Sequence, residues 1–189
     1  MAARFAFALL AAAASASAQC NTPSWQTLSY PGARTNHAAC YDPVSGRVIA
    51  LGGLRGSTAL NEVVAWNGAS WATLPSGPAA RSSPAMVWDD QRQCAVVFGG
   101  LNATNTNLSD TWEWNGSAWS LRSAPGPTPR FGTGHAFDSA RGRMVLFGGS
   151  SSSGPQADTW LWNGAAWVNA GVSGPSARSN PGMAYDAAR

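Results

Sequence analysis

The sequence predicts an all-β fold made of repeated four-stranded antiparallel units, and three observations lead to this prediction. The chain repeats itself with a period of 47 to 49 residues, which is the sign of a repeat architecture. Each period contains an apolar run that ends in two glycines, as is typical of a strand buried on both faces. Each period also contains an aromatic segment followed by Asn-Gly, a strong hairpin signal.

The first strand of each unit is framed by an arginine and an aspartate. The arginines are Arg34, Arg81, Arg130 and Arg178, and the aspartates, eight residues later, are Asp42, Asp89, Asp138 and Asp186. The strand is the apolar stretch before the aspartate, and it ends in an aromatic residue. Because an aspartate side chain can accept hydrogen bonds from nearby backbone N–H groups, we expect it to start a turn.

The second strand of each unit is the apolar run itself, which reads "RVIALGG", "CAVVFGG" or "RMVLFGG". The two glycines permit a positive φ or a close backbone approach. The third strand is "TWEW" or "TWLW" in two units and the weaker copy "VVAW" in the first. An Asn-Gly turn leads from it into a fourth strand that begins with Trp71, Trp119 or Trp167.

The length of the Asn-Gly turn decides which tryptophans face each other. A two-residue turn at Asn115-Gly116 would place Trp112 opposite Trp119, and Trp160 opposite Trp167 in the next unit. A four-residue turn would pair Trp114 with Trp119 instead. In either case two indole rings meet across the strands, which stabilises the hairpin by about 0.5–1.5 kcal/mol beyond area burial. We therefore predict that the repeated tryptophans are part of the scaffold.

This pattern resembles the kelch repeat of β-propellers, as found in secreted bacterial kelch-repeat proteins. The resemblance rests on the double glycines at 52–53, 99–100 and 148–149, on the tryptophan that closes each unit, and on the Asp-Thr-Trp strand between them. It covers essentially all of residues 20–189. It implies a kelch-type β-propeller of four-stranded antiparallel blades, with about three and a half blades present against the roughly 4–8 of a closed ring.

The predicted organisation begins with an export signal. Residues 1–18 carry one arginine, an apolar run and a small-residue end, as signal peptides do. A partial kelch propeller follows at 19–189, which divides into a lone outer strand (19–30), repeat 1 (31–76), repeat 2 (77–125), repeat 3 (126–173) and the start of repeat 4 (174–189). An open array would leave apolar blade faces bare, at about 25 cal/mol per Å². We therefore expect a fragment truncated at Arg189, or self-association if the chain truly ends there.

Composition narrows the class of partner. The net charge is +3, but all twelve basic residues are arginines spread along the chain without a cluster, so no nucleic-acid partner is predicted. No apolar run reaches the ~20 residues that a membrane span needs.

Because residues 1–18 read as an export signal, we expect a secreted or extracytoplasmic protein, in the periplasm or outside the cell.

Residues that recur in every repeat are expected to serve the fold. This applies to the arginines, the aspartates and the acidic set Glu62, Asp110 and Asp158. No catalytic residue, metal ligand or cofactor is therefore predicted. His37 and His135 break the pattern, and a histidine bonded at the start of a strand is the common explanation.

Two cysteines and three loops remain as candidates. Cys40 and Cys94 flank predicted turns of neighbouring blades; they are either bridged by a disulfide or buried as free thiols. The loops at 54–61, 101–109 and 150–157 join the second and third strands and vary in length and sequence. Binding residues concentrate on loops held by a rigid scaffold, so the candidates are Arg55, Asn102, Asn105 and Asn107. Solvated connections are the alternative.

The sequence favours a binding module for an extracellular protein or glycan, bound through these polar loops. The alternative is an extracellular enzyme of the galactose-oxidase-like propeller class, which the same resemblance implies and whose copper site uses tyrosines, histidines and a cysteine. Tyr30, Tyr41, Tyr185, His37 and His135 lie in no stretch that matches that site. On this alternative the catalytic residues would lie outside the segment.

Overall fold

The computed structural model describes residues 32–188. The predicted export signal (1–18) and lone outer strand (19–30) lie outside these residues. Within them the chain forms strands and turns, without a helix. The strands are β1 (Ala38–Asp42), β2 (Arg47–Leu51), β3 (Leu54–Arg55), β4 (Thr58–Ala59), β5 (Val63–Trp66), β6 (Trp71–Leu74), β7 (Arg81–Ser82), β8 (Ala85–Asp89), β9 (Cys94–Asn102), β10 (Asn107–Trp114), β11 (Trp119–Arg122), β12 (Gly134–Asp138), β13 (Arg143–Phe147), β14 (Ser150–Ser151), β15 (Gly154–Pro155), β16 (Thr159–Trp162) and β17 (Trp167–Asn169).

Three antiparallel sheets of four or five strands follow one another along the described residues, and β3-β4 and β14-β15 form two further two-stranded sheets. The first sheet has the order β1-β2-β5-β6, the second β8-β9-β10-β11 and the third β12-β13-β16-β17. In the second sheet β7 also pairs with the end of β9, which makes five strands. Strand β8 packs against both β1 and β12, so the first strands of successive sheets are neighbours. The predicted all-β class is confirmed. The antiparallel sheets have four to five strands where units of four were predicted, and the arrangement is compatible with a propeller-like fold.

The second sheet is buried on both faces, which explains its continuous apolar sequence. Successive side chains of a strand point to opposite faces. Ala95 and Val97 of β9 therefore belong to the core shared with the first sheet. Val96 and Phe98 belong to the core shared with the third sheet. One strand thus supplies two hydrophobic cores.

The aspartates start turns as predicted. Asp42 accepts hydrogen bonds at Oδ1 from the backbone N–H groups of Val44 (2.9 Å) and Ser45 (3.2 Å). Asp89 does the same for Gln91 and Arg92, at 3.1 and 2.9 Å. These bonds fix the turn between the first and second strand of each sheet.

The Asn-Gly hairpins have four-residue turns, so the two-residue alternative is wrong. Trp114 pairs with Trp119 across β10 and β11, whereas Trp112 lies opposite Leu121. The cause is the side chain of Asn115, whose Oδ1 accepts hydrogen bonds from the N–H groups of Ser117 and Ala118 at 3.0 and 2.9 Å. The same pairing recurs in the other sheets, and the paired indole rings lie 5.4–5.5 Å apart. The tryptophans do pack within the scaffold.

The double glycines combine a positive φ with a close backbone approach, as predicted. Gly99 has a φ of +63°. A Cβ atom on it would lie 2.6 Å from the carbonyl oxygen of Arg130, and Gly52 stands in the same relation to Arg81 at 2.4 Å. Any other residue would push two sheets apart at this point.

Candidate functional site

The three variable segments lie together at one end of the sheets, opposite the Asn-Gly turns. They join the second and third strands as expected, but they are short hairpins rather than irregular loops. The first is β3–β4 and the third is β14–β15. The second continues β9 and β10 beyond Gly100, where Asn107 pairs with Leu101.

An ion pair between a buried arginine and a partly exposed carboxylate anchors the base of each hairpin. Arg81 donates hydrogen bonds from Nη1 and Nη2 to the two carboxylate oxygens of Asp110, each at 2.8 Å, and a third from Nη1 to the carbonyl oxygen of Gly99 at 3.0 Å. Arg130 holds Asp158 in the same way. Arg34 donates from Nη2 to Oε2 of Glu62 at 2.8 Å. The arginines and the acidic residues were both predicted to serve the fold, but the sequence did not predict that they pair with each other. The pattern that could have indicated the pairing is the constant separation of 28 or 29 residues between them in every unit.

The arginines lower the pKa values of the aspartates with which they pair. Burial raises the pKa of Asp110, but the hydrogen bonds and charge of Arg81 outweigh it and hold the pKa below its usual range. Burial raises the pKa of Asp158 too. The hydrogen bonds from Arg130 and Trp160 outweigh this effect, so the pKa of Asp158 is also below its usual range. Both carboxylates are therefore ionised and held in place near neutral pH.

The same arginines join neighbouring sheets through their backbone. The N–H group of Arg81 donates to the carbonyl oxygen of Leu60 (3.0 Å), and its carbonyl oxygen accepts from the N–H group of Gly53 (2.9 Å). Arg130 bonds Leu108 and Gly100 in the same way. Each hairpin is thereby fixed both to its own sheet and to the start of the next.

The structure separates the four predicted binding residues into two groups. Arg55 donates to Glu62 at 3.1 Å with its side chain half-exposed. Asn102 caps its own turn, since its Oδ1 accepts from the N–H groups of Thr104 and Thr106, each at 2.9 Å. Asn105 has a φ of +56° at the tip of this turn. Of these four residues, Asn105 and Asn107 line the same cavity.

That cavity is a groove of about 460 Å³ between the hairpins of the second and third sheets. Asn105, Thr106 and Asn107 form one wall, and Pro129 and Ser152 complete the lining. The sequence did not single out Thr106, Pro129 or Ser152, because they come from three segments that only the sheet packing brings together.

The wall of the groove that the β14–β15 hairpin forms is held by hydrogen bonds from Gln156. Gln156 donates from Nε2 to Ser151 Oγ (3.0 Å), to Ser153 Oγ (3.2 Å) and to the carbonyl oxygen of Gly154 (2.9 Å). These bonds tie the β14–β15 turn to the segment that follows it. The groove is therefore flanked by two hairpins whose turns are both held by side-chain hydrogen bonds.

The histidines and cysteines do not gather into a site. Nδ1 of His135 lies 3.0 Å from the carbonyl oxygen of Thr133, and burial lowers its pKa. Burial and the charge of Arg34 lower the pKa of His37. Among residues 32–188, no three His, Cys, Asp or Glu side chains are grouped as metal ligands would be.

Cys40 and Cys94 are free thiols in the structure. Burial raises the pKa of Cys40 to about 12 and that of Cys94 to about 11. A bridge between them stays a prediction.

No family model matches the chain, and no curated protein matches it significantly. The described part of the chain contains no helix long and apolar enough to cross a membrane.

Proposed function

We propose that this chain is an exported binding module of the kelch-type propeller class, which binds a protein or carbohydrate ligand in the groove between the second and third hairpins. The class rests on the recurring double glycines and closing tryptophans, together with three successive antiparallel sheets whose first strands are neighbours. Export rests on the signal-like residues 1–18.

The observation that carries the proposal is the chemistry of the groove. Two asparagine amides and two hydroxyl groups line it, from Asn105, Asn107, Thr106 and Ser152. Amides and hydroxyls both donate and accept hydrogen bonds, which suits sugar hydroxyls or a peptide backbone. The volume of about 460 Å³ lies within the range of roughly 300–1,000 Å³ of small-ligand sites.

The rigidity of the walls supports binding as well. A site held on ordered elements loses little conformational entropy when its ligand binds. Here the base of each wall is an arginine–aspartate pair, formed by Arg81 with Asp110 and by Arg130 with Asp158.

The test is to probe the purified chain on an array of immobilised glycans and on an array of synthetic peptides. The best-binding molecule is then titrated against wild-type protein and a double variant, Asn105→Ala/Asn107→Ala. We expect affinity to fall at least about fivefold, since two hydrogen-bonding side chains are lost at about 0.5–1.5 kcal/mol each. Asn61→Ala, an exposed asparagine at the hairpin of the first sheet, is the matched control and should bind normally. Unchanged affinity of the double variant, or no saturable binding on either array, would overturn the proposal.

A further inference from the structure

The interface between the second and third sheets is closed by a cluster of charges around Glu113. This buried carboxylate accepts hydrogen bonds from Arg92 Nη1 and from Arg122 Nε, the latter at 2.6 Å. It also accepts a hydrogen bond from the indole N–H group of Trp162, which belongs to the third sheet, at 3.2 Å. One carboxylate thus fills the space between the two sheets, held by two guanidinium groups and an indole.

The preceding interface, between the first and second sheets, lacks this cluster. Three positions of the repeat change together: Ala65 stands where Glu113 stands, Ser45 where Arg92 stands, and Leu74 where Arg122 stands. The indole is kept. Trp114 corresponds to Trp162, and its ring lies 5.4 Å from Trp119 at an angle of 40°, against 5.5 Å and 41° for the next pair.

A cavity of about 380 Å³ lies where the charged side chains are missing. Its lining includes Ser45, Arg47, Leu74, Trp88, Gln93 and Trp114. The glycines of the two Asn-Gly turns show the difference in packing. A Cβ on Gly164 would lie 2.6 Å from Nε of Arg92, whereas a Cβ on the corresponding Gly116 would meet nothing within 4 Å.

The cavity holds one guanidinium group that has no acid to pair with. Arg47 lies opposite Asp42 in the strand register. The carboxylate of Asp42, however, is occupied by the N–H groups of Val44 and Ser45 and by the Ser45 hydroxyl. Among residues 32–188 no carboxylate forms a salt bridge with Arg47, and the indole N–H of Trp114 has no hydrogen-bond acceptor. In the third sheet the corresponding Arg143 lies 3.5 Å from Asp138.

We propose that this cavity binds a carboxylate-bearing sugar, a uronic acid residue. Its carboxylate would take the place that Glu113 takes in the next interface, between the Trp114 indole N–H and the guanidinium of Arg47. Its ring would lie against the indole ring of Trp88 and the side chain of Leu74, and its hydroxyls would reach the amide of Gln93. A pyranose ring has both an apolar C–H face and a polar rim, which this mixed lining matches.

This site is independent of the groove between the hairpins. It lies at the opposite strand ends, beside the Asp42 turn and the Asn115-Gly116 turn, and in a different interface.

Calorimetric titration of the purified chain with galacturonic acid tests the proposal, with galactose as the neutral sugar and benzoate as the carboxylate that lacks sugar hydroxyls. We expect saturable binding of galacturonic acid and affinity at least tenfold weaker for galactose and for benzoate. Arg47→Gln should weaken galacturonic acid binding about tenfold or more, since a hydrogen bond to a charged group is lost. Trp114→Phe keeps a ring but removes the N–H donor, and it should weaken binding several-fold.

The matched control is Arg143→Gln, which changes the corresponding arginine of the third sheet, away from the cavity. It should bind as the wild type does, and circular dichroism should show that each variant is folded. Equal affinity for galactose and galacturonic acid would overturn the role of the carboxylate, and equal affinity for benzoate would overturn the sugar class. Unchanged binding by Arg47→Gln, or no saturation below about 10 mM ligand, would overturn the site itself.

Discussion

Arg81 and Asp110 meet through two parallel hydrogen bonds of 2.8 Å, and the two partners differ sharply in exposure. The arginine side chain is 1% exposed and the aspartate side chain 29%. An arginine stays protonated in a protein, so it cannot adapt to the loss of its partner by losing its charge. The consequences of removing either partner should therefore be unequal.

We expect Asp110→Ala to lower the free energy of unfolding by about 3–5 kcal/mol, because it leaves an uncompensated buried charge. Arg81→Met should cost less, since the remaining carboxylate can take up water. The double variant should cost less than the sum of the two single changes. Urea unfolding followed by tryptophan fluorescence measures all three.

The control for this series is Arg55→Ala, which removes a half-exposed arginine from Glu62. It should change the free energy of unfolding by no more than about 0.5 kcal/mol, as is usual for exposed ion pairs. A cost for Arg55→Ala as large as that for Asp110→Ala would contradict the role given to burial.

The same pairs predict how stability depends on pH. The folded-state pKa values of Asp110 and Asp158 are lowered, whereas an unfolded aspartate titrates near about 3.9. The stabilisation is therefore complete above the unfolded pKa and is lost as pH falls through the folded pKa, because the unfolded state binds protons first. We expect the urea midpoint to be flat from about pH 7 to pH 5 and to fall below it. Asp110→Asn should reduce that fall; a slope unchanged from the wild type would show that other carboxylates govern it.

Two glycines with positive φ should respond differently to the same substitution. Gly99 and Gly116 have φ values of +63° and +95°, but only at Gly99 would a new Cβ strike another sheet, at 2.6 Å from the carbonyl oxygen of Arg130. Gly116→Ala should cost only the backbone strain of about 1–2 kcal/mol. Gly99→Ala should cost clearly more and should also lower the cooperativity of unfolding. Equal costs, measured by thermal unfolding, would mean that the close approach does not matter.

A threonine–valine exchange tests the contrast between the two sheet interfaces. The indole N–H of Trp167 donates to Thr111 Oγ1 at 2.8 Å. The corresponding Trp119 N–H is buried without an acceptor, because Val63 stands at the position of Thr111. Thr111→Val should destabilise the protein by about 1–3 kcal/mol by leaving a buried donor unpaired.

Val63→Thr should do the opposite, because the new hydroxyl group can accept the Trp119 N–H bond. We expect it to be neutral or to stabilise the protein by up to about 1 kcal/mol. A loss of more than about 1 kcal/mol for Val63→Thr would show that a hydroxyl group at this position does not reach the Trp119 N–H group as Thr111 reaches Trp167.

The sequence was informative wherever a feature is local. The Asp turns depend on neighbouring residues, and the double glycines recur at one position of every period, so the repeated sequence predicts both. The hairpin register was left open because Asn-Gly begins both a two-residue and a four-residue turn. The capping bonds that Asn115 makes to Ser117 and Ala118 decide between them, and only the structure shows those bonds.

Features that join distant segments could not be predicted in the same way. Arg81 and Asp110 are 29 residues apart, and their pairing requires the strand order of the sheet. The groove needs Asn107 from one hairpin and Ser152 from the next. Of the candidate residues, only Asn105 and Asn107 line it together, because Arg55 is held by Glu62 and Asn102 caps its own turn.

The arginine that opens each unit belongs to two sheets at once, with its side chain in one and its backbone in the other. A duplicated stretch of DNA that encodes one whole period therefore carries, at each end, one partner of the contacts that link neighbouring units. If the copy is inserted in the reading frame and in register with the repeat, the contacts at both of its ends would form without any further mutation. The chain could thus lengthen by one unit in a single genetic event with these contacts intact.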